Sequence, residues 1–283
     1  MSSSGWRPFD LVFFDCDSTL SAIEGIDELA RSKGKAGRVG LLTNKAMDGD
    51  LDLADVYGKR LKAIKPTRAQ LKAVEERYWE TAVEDALEVI AALRFLEVQV
   101  FIISGGLIDA VKGFGRRLGV EPERIRAVEL EYNELSGRWW DYHEPGAQQA
   151  KTYLDYSTGP LTVSHGKSRI IGELAGDLPG RRLMIGDGAS DLAAQDAVDL
   201  FVGYGGVVAR EALLDASQVF IHAESLSPIL PLAAGLRGWK MSQDTRHDGT
   251  FRKGIAAALN EQAVTFSNES LRDSFFRDFE DIN

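Results

Sequence analysis

A single cysteine, Cys16, stands among 283 residues. It excludes an internal disulfide and every zinc pattern built on several cysteines. Long hydrophobic runs are also missing, and none approaches the roughly 18 residues of a membrane-spanning helix. The first residues, MSSSGWRPFD, lack a basic stretch followed by a long apolar one, so no signal peptide is expected and the cytoplasm is the expected compartment. Positive charge is scarce: 33 Lys and Arg face 43 Asp and Glu, a formal charge of −10. That balance argues against a nucleic-acid partner, and any anionic substrate must be met by local cations. The four histidines, His143, His165, His222 and His247, show no ligand spacing. No internal repeat or low-complexity segment is present. The expected partner is therefore a small molecule, with neither nucleic acid nor membrane.

What remains is ordinary globular composition, 44% hydrophobic and 27% charged, in a length that suits about two domains. Four short apolar runs rich in β-formers end in small or acidic residues: LVFFDCD (11–17), VQVFIISGG (98–106), RLMIGDGASD (182–191) and VDLFVGYGG (198–206). Helical stretches separate them, which predicts an α/β fold with a doubly wound parallel sheet. Residues 23–88 have helical periodicity and high charge, and are expected to form a small helical insert after the first strand. The expected division is a core of 1–22 and 89–236, the insert 23–88, and a C-terminal extension, 237–283, that docks a helix or two and carries no evident chemistry. ELEYNELSGRWWDY (129–142) has aromatic ends around Ser136-Gly137 and predicts a hairpin.

In open α/β sheets, ligands collect at the carboxyl ends of the strands. Asp15, Asp17, Ser104, Asp187 and Asp191 all fall there. Two carboxylates one residue apart repel each other unless a cation shares the site. Several carboxylates at one edge suit Mg²⁺, which takes a few carboxylate oxygens and leaves room for a substrate phosphate. Lys167, Ser104 and glycine-backed N–H groups suit the remaining phosphate oxygens. An aspartate in such a site can attack phosphorus, and a neighbour can move the proton. Taken singly, each residue has a commoner reading. Asp-x-Asp opens many solvated turns, Lys167 would be a surface lysine, and GDGASD would be a capped helix entry. The acid pair is not an EF-hand, because Thr19 and Leu20 occupy its fifth and sixth positions. HGKS (165–168) is not a P-loop, because Leu161 stands where the glycine is needed. Cys16 alternates away from the two acids and reads as buried filler.

Together these segments resemble the haloacid dehalogenase superfamily: DCDST matches its first motif, Ser104 its second, Lys167 its third and GDGASD its fourth. Within it, DSTLSAIEGIDELA, NKAMDGDLDLADVYGKRLKAIKP, VQVFIISGG and IGDGASDLAAQDAVDLFVGYGG are similar to the phosphoserine phosphatase family, over roughly residues 10–130 and 165–225. The resemblance implies an aspartyl-phosphate mechanism, with Asp15 as nucleophile and Asp17 as general acid/base. It implies Mg²⁺ held by Asp15, the backbone carbonyl of Asp17, and Asp187, with Asp191 in support. Ser104, Gly105 and Lys167 would hold the phosphate, with Ser190 at the site. Glu24 would face the substrate ammonium, Arg60 its carboxylate, and Met47 would lie near the substrate in a helical cap. The chain departs from the family pattern at Ser190, where Asn or Thr is common, and at Leu53, where an aromatic is usual. Two other readings stay open: a phosphatase or phosphotransferase for a different small phosphomonoester, and a receiver-like phospho-aspartate signalling module. The receiver is disfavoured because no acid pair such as Asp187 and Asp191 follows the lysine there.

Overall fold

The computed structural model describes residues 5–47, 51, 53–136, 140, 143–144 and 146–282, and the side chains of 38, 46, 47, 53 and 55 lie outside this description. Strand β1 (Leu11–Phe14) comes first, and all four of its residues are buried. Four helices follow: α1 (Gly25–Ser32), α2 (Ala36–Met47), α3 (Leu53–Ile64) and α4 (Arg68–Glu80). In α4, Leu71, Val74, Glu75 and Tyr78 recur at helical spacing on the buried face, and a Thr67–Gln70 capping box starts the helix. Next come α5 (Ala86–Phe95), β2 (Gln99–Leu107), α6 (Ile108–Arg117), β3 (Ile125–Val128), β4 (Leu130–Tyr132) and β5 (Tyr153–Tyr156). The order continues with α7 (Lys167–Ala175), β6 (Arg182–Gly186), α8 (Ala189–Leu192), β7 (Leu200–Tyr204), α9 (Glu211–Ala216) and β8 (Val219–Ile221). The last elements are α10 (Ile229–Ser242), kinked at Gly235, α11 (Asp248–Ala258), β9 (Val264–Phe266) and α12 (Glu269–Phe279).

The main sheet has seven strands in the order β3-β2-β1-β6-β7-β8-β9. Six run parallel, and β9 closes the edge antiparallel to β8. The expected doubly wound α/β sheet is therefore present, with three strands more than the four apolar runs and one reversed edge. β1 lies between β2 and β6, with Phe14 paired to Ile102 and to Ile185. Successive strands depart from β1 in opposite directions, so a crevice opens at its carboxyl end.

The turn and second arm of the expected hairpin over 129–142 lie largely outside the described residues. Strand β4 pairs antiparallel with β5, Leu130 opposite Tyr156 and Tyr132 opposite Tyr153. The aromatic partners that sheet pairing favours come from Tyr153 and Tyr156, while Trp140 is exposed; residues 137–139 and 141–142 lie outside the description. The C-terminal segment is part of the main core. Phe275 is fully buried against Trp6, Phe266 and Phe279, with ring centroids 5.2, 5.5 and 4.8 Å away. Among the described residues, no helix is long and apolar enough to cross a membrane.

Candidate active site

Asp15, Asp17 and Asp187 are delivered by the ends of buried strands. Asp15 follows β1, and its N–H donates to the Ile185 carbonyl at 2.9 Å, which fixes the chain where the strand stops. Asp187 follows β6, and Asp191 lies on α8. Gly186 has no Cβ, which leaves the space that the Asp191 carboxyl group fills. Lys167 opens α7 and is buried between two of these acids, 2.8 Å from Asp15 Oδ1 and 2.5 Å from Asp191 Oδ1. Asp191 Oδ2 also accepts from the Gly188 N–H at 3.0 Å, so both of its oxygens are engaged. Asp187 has longer contacts, 3.3 Å to the Thr19 hydroxyl and 3.4 Å to Arg210 Nε.

Asp17 turns the other way. Its Oδ1 accepts from the Gly25 N–H at 2.6 Å and from the Tyr78 hydroxyl at 2.7 Å, and its Oδ2 accepts from Ser104 Oγ at 3.2 Å. The absence of a Cβ at Gly25 is what lets the Tyr78 hydroxyl come so close. Ser104 Oγ in turn accepts from the Gly106 N–H at 2.8 Å, which shapes the carboxyl end of β2.

A small cavity of about 50 Å³ opens over these groups. Asp15, Asp17, Glu24, Arg60, Gly105, Lys167 and Ser190 all line it. Ser104, Asp187 and Asp191 are fully buried beside it. Glu24 immediately precedes α1 without capping it, and its Oε1 accepts from Ser18 Oγ at 2.8 Å. Arg60 is buried rather than solvated: Nη1 donates to Thr43 Oγ1 at 3.1 Å, Thr43 donates to Asp27 at 2.8 Å, and Arg60 Nε has no partner among the described residues. Met47 ends α2, and its side chain lies outside the described residues.

Five carboxylates, Asp15, Asp17, Glu24, Asp187 and Asp191, thus share one buried neighbourhood with three cations, Lys167, Arg60 and Arg210. Desolvation, with repulsion from Asp191 next, raises the Asp15 carboxyl well above its ordinary range despite Lys167. Burial and Asp191 push Asp187 up to about 7. Burial likewise raises Asp17 and Glu24. Burial opposes the Lys167 ammonium, but Asp15 and Asp191 outweigh it and hold the charge in place. Burial also raises the Cys16 thiol, which keeps it inert.

Carboxylate oxygens of Asp15, Asp187 and Asp191 lie within 4.8 Å of one another, with Asp15 Oδ1 also held by Lys167. An all-oxygen donor set of this kind fits a hard divalent cation. Asp15 and Asp187 have oxygens to offer it, whereas Asp191 is already committed to Lys167 and Gly188.

Several site residues were not evident from the sequence. Arg210 reaches Asp187 from the loop before α9, and Tyr78 reaches Asp17 from α4. Tyr57, buried and lining the cavity, supplies the insert's aromatic one turn after Leu53. Its position three residues before Arg60 on one helix face was the available signal.

No family model matches the chain. It is 32% identical over 213 residues to the phosphoserine phosphatase of Rattus norvegicus, covering 75% of this chain and 88% of that one. The phosphoserine phosphatase of Homo sapiens is 31% identical with the same coverage, 75% and 88%. Among solved structures, a phospho-aspartyl intermediate analogue of phosphoserine phosphatase is 25% identical, covers 79% of this chain and 98% of its own, and superposes with a TM-score of 0.66. A substrate-bound phosphoserine phosphatase complex, 24% identical with the same coverage of 79% and 98%, has the same fold at a TM-score of 0.66. By fold, by the composition of its crevice and by these relatives, the chain belongs to the phosphoserine phosphatase family of the haloacid dehalogenase superfamily.

Proposed function

We infer that this chain is a Mg²⁺-dependent phosphomonoesterase that hydrolyses O-phosphoserine to serine and phosphate through a phosphorylated aspartate. The observation that carries the reading is one small cavity lined at once by Asp15, Asp17 and Lys167 and by Glu24 and Arg60. A phosphorylated amino acid brings two anionic groups and one ammonium, and this lining offers a partner for each. The orphaned Arg60 Nε, buried with its guanidinium, has donor capacity to spare for a substrate carboxylate.

In this reading an Asp15 oxygen attacks phosphorus, and the bond from phosphorus to the serine oxygen breaks. Asp17, whose protonated form is favoured by burial, gives its proton to the leaving alkoxide. Tyr78 and Gly25 hold the Asp17 carboxyl in place, which frees the Ser104 hydroxyl to turn from Asp17 to the substrate. Asp17 then takes a proton from water, which attacks the same phosphorus, frees phosphate and restores Asp15. Lys167, the Gly105 N–H and Ser104 hold phosphate oxygens, with Ser190 at the cavity wall. Lys167 also keeps Asp15 oriented and, with Asp191, is itself kept charged. Asp15, the Asp17 backbone carbonyl and Asp187 would hold Mg²⁺, which supplies charge neutralisation to the phosphoryl group. Glu24 and Arg60 take the ammonium and carboxylate, Met47 lies toward the substrate, and α1–α4 act as a cap over the core. Such a product places the enzyme in serine biosynthesis, and the cytoplasm is its proposed compartment.

Phosphate release from O-phospho-L-serine, its D-form, phosphothreonine, phosphoethanolamine and an aryl phosphate, with Mg²⁺ and with chelator, tests this reading. Preference for phosphoserine, abolished by Asp15→Asn and blunted by Arg60→Ala, is expected. Turnover of the aryl phosphate alone, indifferent to Arg60→Ala, would overturn the substrate assignment.

A further inference from the structure

Tyr57 is nearly fully buried and touches both ends of the cavity. At one end its hydroxyl donates to the Gly105 carbonyl at 2.8 Å, at the end of β2 where Gly106 N–H is bound by Ser104. At the other end the Arg60 guanidinium carbon lies 5.3 Å from its ring centroid, within cation–π range. The ring is braced from outside by Tyr156 of β5, centroid to centroid 5.2 Å. Gly58 makes room for this brace, since a Cβ there would lie 2.9 Å from the Tyr156 hydroxyl. One side chain therefore connects the helical insert, the carboxyl end of β2 and the buried arginine. Burial raises the Tyr57 hydroxyl far above neutrality, so it stays a donor.

We propose that Tyr57 is a positioning residue that sets the distance between the phosphate-holding end of β2 and Arg60, and so selects phosphomonoesters whose carboxylate stands at that distance. This rests on the reading of Arg60 as the carboxylate partner and deepens it. The two contacts make separable contributions. The hydroxyl anchors the insert to the end of β2 that every phosphate ester must use. The ring supports only the arginine, which matters to a substrate with a carboxylate and not to one without.

Tyr57→Phe keeps the ring and removes the hydroxyl, whereas Tyr57→Leu removes both. KM and kcat are measured on the full chain with Mg²⁺ for O-phospho-L-serine and for phosphoethanolamine, which lacks the carboxylate and is read by turnover or as a competitive inhibitor. Loss of one neutral hydrogen bond predicts that Tyr57→Phe raises KM, or the inhibition constant, about two- to tenfold for both compounds, with kcat changed less than about twofold. Tyr57→Leu raises KM for phosphoserine about fivefold further and leaves phosphoethanolamine where Tyr57→Phe left it. Tyr57→Phe kinetics matching wild type on both compounds would overturn the proposal. A further loss in Tyr57→Leu that is equal for both compounds would overturn the ring's role. If Tyr57→Leu melts below the assay temperature, the Phe variant decides alone. Failure of the underlying reading looks different: Arg60→Ala would then treat the two compounds alike.

Discussion

Replacing Lys167 by methionine keeps the length of the side chain and removes the ammonium from between two buried carboxylates. The lysine stands 2.8 Å from Asp15 and 2.5 Å from Asp191, and the three side chains are at most 4% exposed. Removing one partner of a buried ion pair costs about 3–5 kcal/mol, because a charge is left without compensation. Against a domain stability of about 5–15 kcal/mol, that is a large fraction. Proton uptake limits the damage. Asp15 is already raised by burial and by Asp191, with Lys167 holding it down, so its carboxyl rises further in the variant. The folded state then binds more protons than the unfolded one, and stability falls as pH rises, by up to about 1.4 kcal/mol per unit for each titrating group. Urea denaturation in chelator, followed through the buried Trp6 and Trp239, should show the full loss at about pH 7.5 and a smaller one at about pH 5.5. Phosphatase activity should fall about a thousandfold or more. A variant within about 0.5 kcal/mol of wild type at the higher pH would show that the lysine is not coupled to these carboxylates, and the account of the site would fail.

Arg60→Ala should raise KM for phosphoserine about a hundredfold, the worth of about 3 kcal/mol for a charge-assisted pair, and barely change that for phosphoethanolamine; steady-state kinetics on both compounds checks it. Wild-type protein in chelator should become more stable as pH falls from about 7.5 toward 5.5, because Asp187, pushed up to about 7, takes a proton that the unfolded chain does not. Added Mg²⁺ should flatten or reverse that slope and restore activity, and an unchanged slope would count against metal binding at Asp187. Phe275→Ala should cost about 3–5 kcal/mol in chemical denaturation, since Phe275 is fully buried among Trp6, Phe266 and Phe279. A loss below about 1 kcal/mol would mean that the C-terminal segment is not part of the core.

The strands that could be read from sequence are those with long apolar runs, β1, β2, β6 and β7, which are buried where they pass through the sheet. β8 and β9 are three residues each, too short to stand out, and β3 exposes Arg126. Nothing local marks β9 as a reversed edge; its register against β8 depends on the packing of Phe266 with Trp6 and Phe275. Asp15, Asp17, Asp187 and Asp191 were legible because they fall in the segments after recognisable strands. Tyr57 and Tyr78 were not, since a tyrosine at an apolar helix position reads as core and only the tertiary fold shows where its hydroxyl goes. Glu24 and Arg60 looked like surface charges without the family resemblance. The pairing of β4 with Tyr153–Tyr156 was not legible, because local turn signals do not encode a partner so far along the chain.

The central claim is that Asp15 carries the phosphoryl group. Turnover of O-phospho-L-serine in Mg²⁺, quenched in acid and analysed by peptide mass spectrometry, tests it most directly. The account predicts one added phosphoryl group on the peptide that contains Asp15, lost in Asp15→Asn together with phosphate release. Steady phosphate release by Asp15→Asn, or a phosphoryl group found on another residue, would contradict it.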